Sequence, residues 1–365
     1  MAVVVVFGAI WILGTNLRDE LIAKNLPTGF DFLNQPTGVT IADSSFKPSS
    51  PVWAALIAGM KNTFALTIVG IPLVTILGTL IGVARLSTNW LVAKAAAVYV
   101  ETIRNIPPLL IILFVFNVVI LPLPAPNDPA TPLDWFVISN LKIVGPGFTS
   151  SPGAGILLII VILALVAAVI VGRWRTRYSD QTGEHHHRML WGLGVFAAIV
   201  LVGYVVTGRP VAFSLPVLEG RVITGGFGGL GSYFAVLAAL VIYTASHVAE
   251  IIRGSILAVP RGQTEAANAI ALTGFQRLRF VILPQAFRFA LPPMINQYLN
   301  FTKNTSLAIA IGFAEITLVT FQLIGNGFPA PQLILLLMGA YLLFTLTISL
   351  IANVINRRLQ LVTNR

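Results

Sequence analysis

The sequence predicts an all-α integral membrane protein of about eight transmembrane helices, and three observations carry that prediction. Of its 365 residues, 56% are hydrophobic and only 10% are charged, which is too little polar material to cover a soluble globule of this size. Uninterrupted apolar runs at 63–84, 154–172, 189–206, 232–246 and 333–355 approach or exceed the ~20 residues that cross about 30 Å of hydrocarbon. None of them alternates as the strands of a membrane barrel do, and helices satisfy their own backbone polar groups in lipid.

In chain order the spans fall near 2–16, 63–84, 95–121, 153–172, 189–206, 232–250, 289–313 and 332–355. The first opens at Met1 with no basic segment ahead of it, unlike a signal peptide, and is expected to be the trimmed end of a longer helix. Segments 17–51 and 122–153 are rich in Pro, Gly, Asn and Ser, and 207–231 ends in a glycine cluster. All three read as external loops, because irregular backbone is tolerated outside the hydrocarbon. Arg85, Lys94, Arg173, Arg175, Arg177, Arg188, Arg253, Arg261, Arg277, Arg279, Arg288, Arg357, Arg358 and Arg365 fall in segments that share one side, against Arg18, Lys24, Lys47, Lys142, Arg209 and Arg221 on the other. The basic excess marks the cytoplasm, so both termini are expected there. The net charge of +10 is therefore a topology signal and not the footprint of a nucleic-acid partner. Cysteine is absent, which excludes disulfides and thiolate metal sites.

Between the sixth and seventh spans lies a polar interruption, Arg261 to Gly274, closed by Ile282-Leu283-Pro284. Pro260 and Gly262 break the preceding helix, Thr264 or Gly262 can cap a new one, and Gly274 can end it in a left-handed conformation. A helix of about three turns is expected. Its small residues, Ala266, Ala267, Ala269 and Ala271, would let the backbone sit deep in a partner's groove.

Polar groups within spans are candidates for a pathway. Tyr243, Ser246, His247 and Glu250 follow i, i+3, i+4, i+7 spacing and share a helical face. Either that face lines a cavity and meets a substrate ammonium group, or Glu250 pairs with Arg253 or a neighbouring helix while His247 packs neutrally. Lys303, Asn304 and Thr305 form a second polar break; the cation either holds a substrate carboxylate or pairs with a carboxylate such as Glu315. Glu101 and Arg104, three apart, are expected to satisfy each other at the membrane boundary.

Two motifs point to nothing further. Gly226-Phe227-Gly228-Gly229-Leu230-Gly231 matches G-x-G-x-x-G but lacks a βαβ context and an acidic partner about 20 residues on, so it reads as a flexible external turn. His185-His186-His187 sits on a loop that presets no coordination geometry, so no metal is expected. No arrangement suggests catalysis, and no Gly-Lys pair exists to form a phosphate-cradling loop, so no cofactor is expected on this chain.

Four segments together resemble the transmembrane subunit of polar amino acid ABC importers, the group of histidine, arginine and glutamate/glutamine permeases. They are Asn62-Thr63 opening a span that ends Gly82-Val83-Ala84-Arg85-Leu86-Ser87; Tyr99 to Pro107; Ala249-Glu250-Ile251-Ile252-Arg253-Gly254 running into the polar interruption; and Leu283-Pro284-Gln285-Ala286 followed by Leu291-Pro292-Pro293 and Lys303 to Leu307. The interruption is similar to that family's coupling loop, Glu-Ala-Ala, three residues, Gly, nine residues, Ile, one residue, Leu-Pro. Here Ala271 stands at the Gly position and Val281 at the Ile position. Thr28 to Leu33 and the 122–231 insertion further resemble the longer, general L-amino acid subfamily, in which the permease pairs with a second, different permease; an identical partner is the alternative.

The resemblance implies a type I importer permease fold with cytoplasmic coupling helices. Its parts would be an N-terminal helix and external segment (1–54), a first core part (55–121), an insertion with two extra transmembrane helices (122–231), and a second core part (232–365) with the coupling loop at 251–288. It assigns coupling to Thr264, Glu265, Ala266, Ala267, Ala271, Leu272, Gly274, Leu283 and Pro284. It implies two ATPase subunits binding ATP and Mg2+, and a periplasmic amino acid-binding protein, around a multi-pass subunit of the bacterial inner membrane. The rival is an ion-gradient-driven secondary amino acid transporter, which would not require the small-residue helix and often shows internal repeats. A channel would need a filter segment or a ring of charges.

Overall fold

The apolar runs fold as helices, as a chain in lipid must. The structure, a computed structural model, describes residues 2–23, 28–41, 46–151, 153–182, 187–220 and 222–359. Its helices in the first part are α1 (Ala2–Ala23), α2 (Val52–Ala84), α3 (Trp90–Arg104) and α4 (Pro108–Phe114), the last continued by a π-helical turn over Val115–Ile120. Strands β1 (Val137–Ile138), β2 (Lys142–Gly145) and β3 (Gly147–Ser150) come next, then α5 (Ala154–Thr182) and α6 (Arg188–Val206), then β4 (Val211–Ser214), β5 (Val217–Glu219), β6 (Val222–Thr224) and β7 (Phe227–Leu230). The chain closes with α7 (Gly231–Leu257), α8 (Arg261–Ala269), α9 (Gly274–Arg277), a π turn at Leu278–Ile282, α10 (Leu283–Asn304), a 3-10 stretch at Thr305–Ile311, α11 (Ile316–Gly325) and α12 (Ala330–Leu359). Two compact units result: Met1–Pro122 with Gly231–Arg365, and Leu123–Leu230.

The first unit is organised around α7, which packs against α2, α3, α4 and α10. Its apolar window is 61% buried, against 6% for that of α12, so α7 is a core helix and α12 turns most of its surface outward. In lipid the hydrophobic effect does not drive helices together; close van der Waals packing does, and small residues permit it. Helix α2 supplies them. A Cβ on Gly78 would lie 2.6 Å from Val248 Cγ1, and one on Gly82 would lie 2.6 Å from the Ala249 carbonyl oxygen. At Gly70 it would strike the fully buried ring of Phe301. Buried hydroxyls turn back onto their own helices: Thr67 Oγ1 donates to the Thr63 carbonyl at 2.9 Å and Thr302 Oγ1 to that of Tyr298 at 3.1 Å, which removes the cost of a bare hydroxyl in an apolar setting.

The second unit is an α5–α6 hairpin with short antiparallel strands. β1–β2–β7 form one sheet, with Ile143 opposite Gly229 and Lys142 opposite Leu230, while β3 pairs β4 and β5 pairs β6. The apolar windows of α5 and α6 are only 11% and 6% buried, as expected of helices that face lipid.

Several boundaries differ from expectation, each for a local reason. Helix α2 begins at Val52 and not near residue 62, because Pro51 opens it as an N-cap and Asn62 is simply a polar residue inside it. The expected single span 95–121 is two helices bent by 105°; Pro107 and Pro108 cannot donate backbone hydrogen bonds and restart the chain as N-cap and N1. The span near 289–313 belongs to a run, Gly274–Ile311, whose α-helix ends at Asn304, succeeded after a 47° bend by the unforeseen α11. The expected flexible turn at 226–231 is instead strand β7 and the start of α7, since glycine at 228 lets the strand approach the Ile143 carbonyl. Five helices are long and apolar enough to cross a membrane, or up to seven if each bent pair is one span, among the described residues; α1 covers the first expected span as a 22-residue helix. His185 and His186, Lys24, Arg221 and Arg365 lie outside the described residues. Among the described residues no group of three or more His, Cys, Asp or Glu is placed to hold a metal.

Candidate functional site

Helix α7 ends at Leu257, and Pro260 then serves as N-cap of α8 without any side-chain cap. Helix α8 runs nine residues, Arg261–Ala269, shorter than the three turns expected. Thr264 lies inside it and caps nothing, and Gly262 is its second residue. The termination also differs. Ile270 is the C-cap and Ala271 adopts φ 54°, so the left-handed residue is Ala271 and not Gly274. The Ala271 N–H donates to the Asn268 carbonyl at 2.9 Å and the Leu272 N–H to the Ala267 carbonyl at 3.1 Å. This is the paired bonding of a Schellman motif with a Cβ-bearing residue at the position glycine favours. Gly274 instead opens α9, where Thr273 and Gln276 form a reciprocal capping box: Gln276 N–H to Thr273 Oγ1 at 3.3 Å, and Thr273 N–H to Gln276 Oε1 at 2.9 Å.

Two side-chain bonds tie α8 to α9 and α10. Arg277 Nη1 donates to Asn268 Oδ1 at 2.5 Å, and Gln285 Nε2, on α10, to Gln263 Oε1 at 3.0 Å. Leu283 and Pro284 form the first turn of α10. The faces of α8 are unequal: Ala267 is buried, whereas Glu265 and Ala266 are exposed. Beyond the helix, Ile270 and Phe275 are 70% and 68% exposed, which places large apolar groups beside the exposed small ones.

Within the spans the structure separates residues that the sequence placed on one face. Ser246 is buried and its hydroxyl donates to the Tyr243 carbonyl at 2.6 Å. Tyr243 and His247 are half-buried with ring centroids 4.7 Å apart, and His247 Nδ1 lies 3.2 Å from the same carbonyl. A ring nitrogen facing a carbonyl oxygen carries the proton, so the other nitrogen of a neutral ring is an acceptor. Glu250 is engaged elsewhere. Its carboxylate accepts from Arg253 Nη2 at 2.6 Å and from Arg85 at the end of α2, and Arg85 Nη2 lies 3.8 Å from Glu101. Arg85 thus holds the ends of α2, α3 and α7 together, and the partner of Glu101 is Arg85, not the expected Arg104.

The second polar break resolves differently again. Lys303 is exposed, Asn304 half-buried and Thr305 buried, with its hydroxyl donating to the Thr302 carbonyl at 2.7 Å. Glu315 is not the partner of Lys303. It is fully buried as N-cap of α11: Oε1 accepts from the N–H groups of Thr317 and Leu318 at 2.8 and 3.1 Å, and Oε2 from Tyr341 OH at 2.8 Å and Thr317 Oγ1 at 3.2 Å. A carboxylate at a helix N-terminus is favourable, and its donors come from three helices, since Thr63 Oγ1 on α2 also reaches Oε2 at 3.4 Å. Sequence reasoning misses this network, because Glu315 stands where Ser, Thr, Asp or Asn usually signals a helix start and its partner Tyr341 lies 26 residues on.

Residues 188–361 match the family described as binding-protein-dependent transport system inner membrane component. The chain is 36% identical, over 99% of its length and 91% of the relative's, to the general L-amino acid transport system permease protein AapQ of Rhizobium johnstonii. It is 35% identical to YhdX of Escherichia coli, a putative amino-acid ABC transporter permease, over 99% and 93% of the two chains. It is 34% identical to BztB of Rhodobacter capsulatus, a glutamate/glutamine/aspartate/asparagine transport system permease, over 97% and 90%. In fold it is similar to a crystal structure of an amino acid ABC transporter with histidines, with TM-score 0.50 and 20% identity over 84% of this chain and 94% of that one.

Proposed function

This chain belongs to the inner-membrane permease family of binding-protein-dependent amino acid ABC transporters, and from that premise we propose that it forms one half of a polar L-amino acid pathway driven through α8. It is a multi-pass membrane subunit and not an enzyme, with ATPase and substrate-binding partners. The ion-gradient-driven carrier does not survive these relatives.

One observation carries the coupling assignment. Helix α8 presents exposed Glu265 and Ala266 with Ile270 and Phe275 outside the apolar spans, while Gln263–Gln285 and Asn268–Arg277 fasten it to the base of α10. Small residues admit a partner's surface closely, the apolar pair anchors it, and the bonds pass a displacement of α8 into α10, whose Pro292 and Pro293 leave it able to hinge. Thr264, Glu265, Ala266, Ala271, Leu272 and Gly274 shape that surface; buried Ala267 supports it from within, and half-buried Leu283 and exposed Pro284 open α10 beside it.

The partners are two ATPase copies, which bind ATP and Mg2+, a second and different permease, and a periplasmic binding protein that delivers the amino acid. Both termini are cytoplasmic. In the pathway Tyr243 and His247 offer a ring face and an acceptor nitrogen to a substrate ammonium group, and exposed Lys303, beside Asn304 and Thr305, offers a cation to its carboxylate. Ser246 and Glu250 are structural in the state described. Native mass spectrometry of the complex purified from its own membrane tests the assignment. Two ATPase copies with one different permease are expected; a lone chain or a homo-oligomer that transports without ATP would overturn it.

A further inference from the structure

We propose that the α5–α6 hairpin carries a binding site for one anionic phospholipid, with its headgroup at Arg175 and an acyl chain in the groove along α6. The proposal concerns the second unit alone and needs only that this hairpin spans the bilayer. Helix α5 has 29 residues, so at 1.5 Å each it is about 43 Å long and exceeds a ~30 Å hydrocarbon layer by more than two turns. The excess carries Arg173, Trp174, Arg175, Arg177 and Tyr178 at its C-terminal end.

Arg175 differs from its neighbours. Its guanidinium carbon lies 4.2 Å from the Trp191 ring centroid and 5.5 Å from that of Trp174, so two aromatic rings hold the cation. Its Nε is buried with no hydrogen-bond partner among the described residues, so the ring contacts and not that donor hold the side chain in place. Trp174, Trp191 and Tyr178 are themselves largely exposed, as the aromatic side chains of a membrane interface are. Arg173 and Arg177 are exposed on a different face of the helix from Arg175, so they attract a negative surface without converging on this point.

Below Trp191 the surface of α6 is a groove of about 350 Å³ lined by His187, Leu190, Trp191, Gly194, Val195 and Ala198. From 187 to 198 it descends about 16 Å at the helical rise, close to half the hydrocarbon thickness and so the depth of one leaflet. Its upper end meets the first turn of α6, whose N-cap His187 provides no side-chain cap, and a helix N-terminus favours a phosphate. A planar guanidinium, a helix N-terminus and an apolar groove one leaflet deep together fit a phosphate that carries an acyl chain, better than a soluble anion or a neutral lipid.

The test is native mass spectrometry of the intact complex with added phosphatidylglycerol or phosphatidylcholine of matched chains. The wild type is expected to retain phosphatidylglycerol preferentially, and Arg175→Gln to lower that retention about five-fold, the loss of one charge contact at a membrane surface. Arg175→Lys is expected to keep part of the preference, and the double variant of Arg173 and Arg177 to Gln to keep the bound lipid. Should Arg175→Gln fail to assemble, Gly194→Leu decides: a side chain there has open space before it, fills the groove, and is expected to expel the lipid. Equal retention of the two lipids by the wild type, unchanged retention in Arg175→Gln or Gly194→Leu, or displacement by millimolar inorganic phosphate would overturn the proposal.

Discussion

Placing Asp at 266 or at 267 separates docking from folding, because Ala266 faces out of α8 and Ala267 faces into the protein. Ala266 is exposed and Ala267 is 3% exposed. At 266 the substitution costs the isolated subunit only the helix propensity of Asp relative to Ala, about 0.7 kcal/mol or less. Under the proposed docking the same carboxylate would be buried unpaired against the ATPase, at a cost of about 2–5 kcal/mol, which lowers affinity roughly 30-fold or more. At 267 the carboxylate is inside the permease itself, and an unpaired buried charge costs several kcal/mol before any partner is present. Thermal unfolding of the solubilised permease and titration with purified ATPase read the two effects independently. Ala266→Asp is expected to melt like the wild type and bind ATPase weakly, whereas Ala267→Asp melts early. An Ala266→Asp complex with wild-type ATPase affinity and ATP-driven uptake would refute the docking assignment.

Three further outcomes rest on named contacts. Ala271 holds φ 54° at a cost of about 1–2 kcal/mol, of which Ala271→Gly recovers part after losing ~0.4–1 kcal/mol of unfolded-state advantage; hydrogen exchange of the Leu272 amide should slow a few-fold, and faster exchange would show that the turn is not strained. Glu315→Ala strips the acceptor from Thr317, Leu318 and Tyr341 and is expected to destabilise by about 3–5 kcal/mol, with Glu315→Gln intermediate, both read by melting in detergent. Gly82→Val places a Cβ 2.6 Å from the Ala249 carbonyl oxygen, where neither backbone can yield cheaply. Overpacking of about 1–3 kcal/mol should lower the melting temperature, and no change would mean that α2 and α7 are less closely packed than described.

The membrane class, the apolar runs that become α5, α6, α7 and α12, and the polar interruption were legible in the sequence because each depends on local composition. Twenty apolar residues choose a helix in lipid whatever surrounds them, and Pro260 with small and polar residues after it breaks a span wherever it stands. Details governed by one residue's backbone were less legible. That Ala271 and not Gly274 takes the left-handed turn depends on where α8 stops, and that is set by the burial of Ala267 and the Asn268–Arg277 bond. The strands of the second unit were hidden because they are two to four residues long, and their pairings, such as β2 with β7, join segments far apart in the chain.

By itself, then, the sequence determined that this is a helical membrane subunit with a polar interruption after α7, since periodicity, charge bias and helix breakers act within a few residues of themselves. Only the tertiary structure decided which polar side chains remain available. Periodicity put Ser246 and Glu250 beside Tyr243 and His247, yet the approach of α2 through Gly78 and Gly82 brings Arg85 to Glu250, and the packing of α11 against α12 gives Glu315 to Tyr341 and leaves Lys303 outward. A charge in a low-dielectric interior is claimed by whichever opposite charge or donor packing brings within reach, and that distance is a property of the assembled fold, not of residue order.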